Sequence, residues 1–295
     1  MSDRSVTIVG ATGCAGRAYV RAFRAAGYHV RGTLRRGGDP APLVALGAEP
    51  VEVSLDSADG AAAALKGVAA VVVALLGRGP DPAGDEAAST RATLAGAVAA
   101  GAGHLVYTSV HLADAATGVA HFDVKRELEA AVAATGLPYT VLRPTTFMEG
   151  LDMPWLRDAA LETGELASPI APDVPISYVA AADVAALAVR AVDDPRLEKV
   201  TLEVGGPRAW TYRELLPVLT EVSGRSLRYR QLDLAPVATY QPHVAAMIEL
   251  FNRRGYSTDP PEVAEQLGIR MTDLTTFLLG SGWTAAQPPS SEVPW

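Results

Sequence analysis

The sequence predicts an α/β fold: a doubly wound parallel sheet followed by a smaller, mostly helical C-terminal lobe. Three observations predict it. Short β-branched runs alternate with Ala-rich helical runs over the first half of the chain, a glycine cluster joins the first run to the first helix, and the rhythm weakens beyond Pro144.

Taken in order, Val6 to Val9 is a short apolar strand ending in glycines, and Gly13 to Ala26 reads as a helix closed by Gly27. His29 to Leu34 follows as a strand, Pro42 to Leu46 as a short helix, Val51 to Leu55 as a strand and Ala61 to Leu65 as a helix. Val68 to Leu76 is a buried strand. After a Gly-, Pro- and Asp-rich loop from Gly77 to Asp85 come a helix to Ala100, the strand His104 to Thr108, a helix from His121 to Ala134 and the strand Tyr139 to Leu142. Beyond Pro144, Ile176 to Val192 reads as strand and helix, Thr201 to Val204 as strand and Trp210 to Ser223 as helix, with a Pro-rich tail after Trp283. These elements imply a cofactor domain over 1–150 and a substrate lobe over 151–295, interwoven with the last strands and helix of the core at about 176–204.

Composition narrows the classes. The chain has 295 residues, 49% hydrophobic and 20% charged, with net charge −8, so it should bury a substantial core under an acidic surface. Nucleic acid and anionic membrane are excluded as partners. The single cysteine, Cys14, allows no intramolecular disulfide, and no His, Cys, Asp or Glu spacing suggests a metal. The longest apolar stretch, Val68 to Gly77, is about half of a membrane span, and the first strand starts close to Met1, so neither span nor signal peptide is expected. A cytoplasmic protein follows as the expectation.

Gly10-Ala11-Thr12-Gly13-Cys14-Ala15-Gly16 carries glycines at its first, fourth and seventh positions, between a strand and a helix. Glycine there permits a tight turn and a close approach of backbone to a pyrophosphate, whose charge meets the N–H groups at the helix start. Gly10, Thr12, Gly13, Cys14, Ala15 and Gly16 are therefore assigned to a dinucleotide, in a Rossmann-type domain. An NAD site would place an acid near the end of the second strand, about 20 residues on. This chain has Thr33-Leu34-Arg35-Arg36 instead. Guanidinium groups at Arg35 and Arg36 suit the 2′-phosphate of NADP(H).

VTIVGATGCAGRAYV, VRGTLRR and HFDVKRELEAAVAATGLPYTVLRPTTFMEGL together resemble the NmrA-like atypical short-chain dehydrogenase/reductases. Weaker similarity continues through ISYVAAADVAALAV and VGGPRAWTYRELL. The resemblance implies NADP(H), with Gly10, Thr12, Gly13 and Gly16 at the pyrophosphate and Arg35 at the 2′-phosphate. Ser54 departs from the family's frequent adenine-contacting Asp, which moves that contact to backbone near Leu55 or to Asp56. Leu75, Pro144 and Phe147, after the fourth and sixth strands, are placed beside the cofactor.

Short-chain reductases commonly use a Tyr-x-x-x-Lys pair with an upstream Ser, and no tyrosine here has a lysine four residues on. His121-x-x-x-Lys125 stands in its place, twelve residues after Ser109. The i, i+4 spacing puts His121 and Lys125 on one helix face. His121 is the expected proton donor, Lys125 the group on the nicotinamide ribose, and Ser109 the hydrogen bond to a substrate oxygen. An alternative leaves Lys125 in a surface pair with Glu129. His111 is a rival donor, and Met148, Met153 and Trp155, with Phe147, suit an apolar or aromatic substrate. The expected activity is an NADPH-dependent reduction of a ketone, quinone or similar electron-poor small molecule, with specialised metabolism as its expected setting. The alternative is a non-catalytic NADP(H)-binding regulator acting through protein contacts.

Overall fold

The structure, a computed structural model, describes residues 4–259 and 262–284, so the Pro-rich tail from residue 285 lies outside the described residues. In chain order the first half runs β1 (Ser5–Val9), α1 (Cys14–Ala25), β2 (His29–Leu34), α2 (Ala41–Ala45), β3 (Glu49–Glu52), α3 (Ala58–Leu65), β4 (Ala70–Val73), α4 (Pro82–Ala100), β5 (His104–Thr108), α5 (Ala120–Ala134) and β6 (Tyr139–Pro144). There follow β7 (Thr146–Phe147), α6 (Pro154–Thr163), β8 (Glu165–Ser168), β9 (Ile176–Val179), α7 (Ala181–Asp193), β10 (Val200–Val204), β11 (Ala209–Trp210), α8 (Tyr212–Ser223) and β12 (Arg228–Gln231). The helices α9 (Ala235–Tyr240), α10 (Pro242–Arg254), α11 (Glu262–Gln266) and α12 (Leu274–Leu279) complete the described elements.

The chain divides into two compact units, one of residues 1–143 and 181–202, the other of 144–180 and 203–295. The first is built on the seven-stranded sheet, ordered β10-β6-β5-β4-β1-β2-β3. Pairing from β3 through β6 is parallel throughout. Alternation along each strand sends odd-numbered residues to one face, where Val9, Val71, Val73, Leu105 and Tyr107 bury against Leu65, Leu94 and Leu128 of α3, α4 and α5. α1 packs on α7 and on β1 and β2, and α7 packs on β5, which covers the other face. Each fully buried Leu or Phe of this double layer stabilises it by roughly 1.5–3 kcal/mol.

Strand order reverses between β1 and β4, and in an open α/β sheet a ligand binds outside the carboxyl ends of the strands at such a point. The glycine turn after β1 and the loop after β4 both lie there. The second unit holds two small sheets, β11-β9-β7 and β12-β8, and most of the later helices.

Several boundaries differ from expectation: α3 begins at Ala58 rather than Ala61, β4 is Ala70–Val73 rather than 68–76, and two further differences have a plain cause. β3 is Glu49–Glu52 rather than 51–55, because its register with β2 runs from Arg31↔Glu49 to Leu34↔Glu52 and its partner then ends. α4 starts at Pro82, inside the expected loop, because the Asp81 side chain accepts from the Gly84 N–H and Pro82 occupies the first turn.

Candidate functional site

The glycine turn is shaped by three different requirements. Gly10 has φ +88°, and a Cβ on it would lie 2.3 Å from the Ala74 carbonyl oxygen at the end of β4. A Cβ on Gly16 would lie 2.0 Å from the Gly10 oxygen, so this glycine lets α1 close onto the turn. A Cβ on Gly13 would meet only the Gly10 oxygen, at 3.5 Å, so the protein itself leaves that space open. Gly13 is also the N-cap of α1, which has no side-chain cap and no acid in its first turn. An open backbone cradle at an uncapped, positive helix end is what a pyrophosphate requires. Thr12 is exposed here and Cys14 and Ala15 are half-buried, while the Gly10 N–H donates to Thr33 Oγ1 at 3.2 Å, tying the turn to β2.

Arg35 and Arg36 follow β2 directly and are exposed. The Arg35 guanidinium lies 3.8 Å from Asp85 in the first turn of α4, and Asp85 also accepts from the Arg78 N–H at 2.9 Å. Leu55 and Leu75 are half-buried against the α3–α5 side of the core. Ser54 Oγ donates to Asp56 at 2.6 Å, so the departure from the family pattern leaves a local Ser–Asp pair at the end of the third strand.

Lys125 is the most informative of the expected residues. It is buried, and its Nζ lies 2.6 Å from Glu86 Oε1, with side chains 5% and 2% exposed. The same amine donates to the Thr108 carbonyl at 3.1 Å and to the Leu75 carbonyl at 3.4 Å, at the carboxyl ends of β5 and β4. The expected alternative, a surface pair with Glu129, is corrected by this burial. Removing one partner of such a buried pair strands the other charge and costs roughly 3–5 kcal/mol. Tyr107 lies beneath, its ring 5.3 Å from Nζ and its buried hydroxyl without a hydrogen-bond partner among the described residues. Burial, then the charges of Glu86 and Glu129, push that hydroxyl far above its ordinary pKa.

Glu129 has other duties. Ser109 Oγ donates to Glu129 Oε1, and the Arg143 guanidinium clasps the same carboxylate through 2.9 and 2.7 Å bonds while reaching Asp114 at 2.7 Å. The Arg143 guanidinium holds the Asp114 carboxyl below the usual carboxylate range. Ser109 is buried and spends its only proton on Glu129, so the expected hydrogen bond from Ser109 to a substrate oxygen is corrected: in this arrangement it can only accept.

His121 sits one helical turn before Lys125, half-buried, with its ring edge-on to Phe122. His111 is half-buried in the loop after β5, next to Leu112, whose φ of +69° marks a tight turn.

In the second unit Pro144 is buried, Phe147 and Met153 are half-buried and Trp155 is 69% exposed. Met148, expected to line the substrate pocket, is fully buried and packs toward Gly206, a core position of this unit. Among the described residues no group of three His, Cys, Asp or Glu is placed to hold a metal ion, and no helix is long and apolar enough to cross a membrane.

Sequence reasoning missed Glu86, Tyr107, Glu129 as the partner of Ser109, and Arg143. Glu86 carried no distinguishing signal, because α4 also holds Asp85, Ser89, Thr90, Arg91 and Thr93 and only the assembled fold shows which of these is buried.

Comparison with known proteins gives the chain's family. The model of the NmrA-like family matches residues 2–278. A (4-alkanoyl-5-oxo-2,5-dihydrofuran-3-yl)methyl phosphate reductase of Streptomyces griseus is 33% identical over 248 residues, 81% of this chain and 83% of the relative. The photosystem II assembly factor Ycf39 of Synechocystis is 28% identical over 293 residues, covering 92% and 88%. The Escherichia coli NADPH-dependent quinone oxidoreductase QOR2, solved with NADPH, superimposes with a TM-score of 0.77 at 25% identity, covering 92% of this chain and 98% of that one. An azoreductase of Xenophilus azovorans, 28% identical over 229 residues and covering 78% of this chain and 77% of the relative, is likewise named as NAD(P)H-dependent. With its glycine turn, open cradle and paired arginines, the chain belongs to the NmrA-like family and is an NADP(H)-binding oxidoreductase.

Proposed function

We propose that the protein is an NADPH-dependent reductase of electron-poor, apolar or aromatic small molecules such as quinones and ketones. The observation that carries the reading is Lys125: a buried amine fixed at the carboxyl ends of β4 and β5, where the sheet reverses order beside the glycine turn. Gly10, Thr12, Gly13, Cys14, Ala15 and Gly16 receive the pyrophosphate, and Arg35, with Arg36, the 2′-phosphate. Leu55 and Leu75 are proposed as further cofactor contacts. Lys125 would hold the nicotinamide ribose through its amine, whose bond to the Leu75 carbonyl, at 3.4 Å, is its longest. When bound, NADPH supplies a hydride. His121 then gives its proton to the substrate oxygen that gains the electron pair, and Ser109 accepts from a substrate or ribose hydroxyl while Glu129 fixes its orientation. His111 is retained as a rival donor.

The experiment is an NADPH-oxidation screen over quinones, aromatic ketones and azo compounds, with the parent and His121→Phe. The expected result is turnover by the parent and a fall in kcat of about 10² for ketones in His121→Phe, with far less effect on quinones, whose reduction leans less on a protein-supplied proton. Absence of turnover with every acceptor contradicts the reading. One observation favours a second reading: similarity across 92% of the chain to a protein named as an assembly factor. Tight NADPH binding without turnover, together with an NADPH-dependent protein partner, supports that regulator.

A further inference from the structure

We propose that Glu86 is a positioning residue, which holds the Lys125 amine and the loop after β4 in the arrangement the cofactor meets. The proposal rests on the reading of Lys125 as a cofactor-binding residue.

A carboxylate buried to 2% exposure is stripped of water, and an apolar side chain would fill the same place on α4 at less cost. Glu86 uses both of its oxygens. Oε1 faces Lys125 Nζ at 2.6 Å, and Oε2 accepts from the Gly77 N–H at 3.4 Å. Gly77 lies midway along the loop from β4 to α4, and that loop is folded tightly: a Cβ on Gly77 would lie 1.6 Å from the Pro82 oxygen. The next acid, Asp85, accepts from the following amide, Arg78, at 2.9 Å. The first turns of α4 thus grip two consecutive loop amides just beyond Ala74 and Leu75, the residues against which Gly10 is packed.

Lys125 Nζ donates to the Thr108 and Leu75 carbonyls and is paired in charge with Glu86, whose Oε1 lies 2.6 Å away without the alignment of a hydrogen bond. Glu86 is the charged and nearest partner, so it holds the amine in place between those carbonyls. A ribose hydroxyl would meet an amine already positioned, beside a loop fixed by the same carboxylate.

The test compares Lys125→Met, Glu86→Gln and the double variant by NADPH fluorescence titration, by kcat and KM with the best acceptor, and by thermal midpoint. Lys125→Met should weaken NADPH binding about tenfold, and Glu86→Gln by a similar factor although Glu86 does not reach the cofactor. The double variant should be no worse than Lys125→Met alone. Where Glu86→Gln does not fold, Glu86→Asp, which keeps the charge but withdraws it by one methylene, should weaken NADPH binding with the thermal midpoint largely kept. A folded Glu86→Gln or Glu86→Asp protein whose NADPH affinity stays within about twofold of the parent overturns the proposal and leaves a structural ion pair. So does strict additivity in the double variant. If Lys125→Met itself binds NADPH normally, the reading of Lys125 fails, and the proposal for Glu86 with it.

Discussion

Gly13 and Gly16 lack a side chain for opposite reasons, and substitution separates them. Val at Gly16 drives a Cβ into the Gly10 carbonyl, so Gly16→Val should lose thermal stability outright. Val at Gly13 meets no tight contact in the protein, so Gly13→Val should keep a near-parental thermal midpoint while NADPH binding in a fluorescence titration is lost. Arg35 and Asp85 make a second contrast. Arg35→Ala should cost about 1.5–3 kcal/mol of NADPH binding, roughly ten- to hundred-fold, and close the gap to NADH. Asp85→Asn frees the guanidinium from its rival carboxylate and should tighten NADPH in the same titration. The turn that Gly10 and Gly16 shape was legible because it follows from spacing along one strand, turn and helix. Glu86 and Arg143 were not, because their partners lie 39 residues away in Lys125 and 14 and 29 away in Glu129 and Asp114, distances that only the assembled sheet closes.

The elements were legible where burial on both faces writes an unbroken apolar run. His29–Leu34 and His104–Thr108 have the boundaries expected of them, whereas β3 is set by the length of its partner rather than by its own residues. β5 also opens on a buried polar residue that gives the sheet a pH dependence. His104 Nε2 lies 3.0 Å from Thr140 Oγ1, whose proton goes to the Leu197 carbonyl, so the imidazole is the donor. Burial holds its pKa below the ordinary 6.5, with Glu198 opposing. The unfolded chain therefore binds the proton first as pH falls. The stabilising contribution of His104 is full above about pH 6.5 and is lost progressively below it. The thermal-midpoint gap between the parent and His104→Gln should accordingly narrow between about pH 7.5 and about pH 5; a constant gap would mean that the histidine does not titrate differently on folding.

At the scale of the whole molecule, two units carry separate cores, and the second is closed by its C-terminal end. Trp283 is fully buried, its indole N–H donating to the Leu151 carbonyl at 2.9 Å, and the Gly282 N–H reaches Asp152, which also binds the buried Arg157. Trp283→Ala should cost about 3–5 kcal/mol and raise amide exchange around Leu151 to Ala160, leaving the amides of β1 and β4 protected. Nothing in the weak rhythm beyond Pro144 announced this closure, because it joins residues about 130 apart in sequence. The central claim is that this arrangement transfers hydride rather than merely sensing the nucleotide. The most direct measurement is a single-turnover reaction with NADPH carrying deuterium at the transferable position, mixed with a quinone or aromatic ketone and followed by mass spectrometry of both products. The account predicts deuterium leaving the nicotinamide from one face only, and its appearance at carbon in the reduced ketone. Bound, intact NADPH after prolonged mixing with every acceptor tried would contradict it.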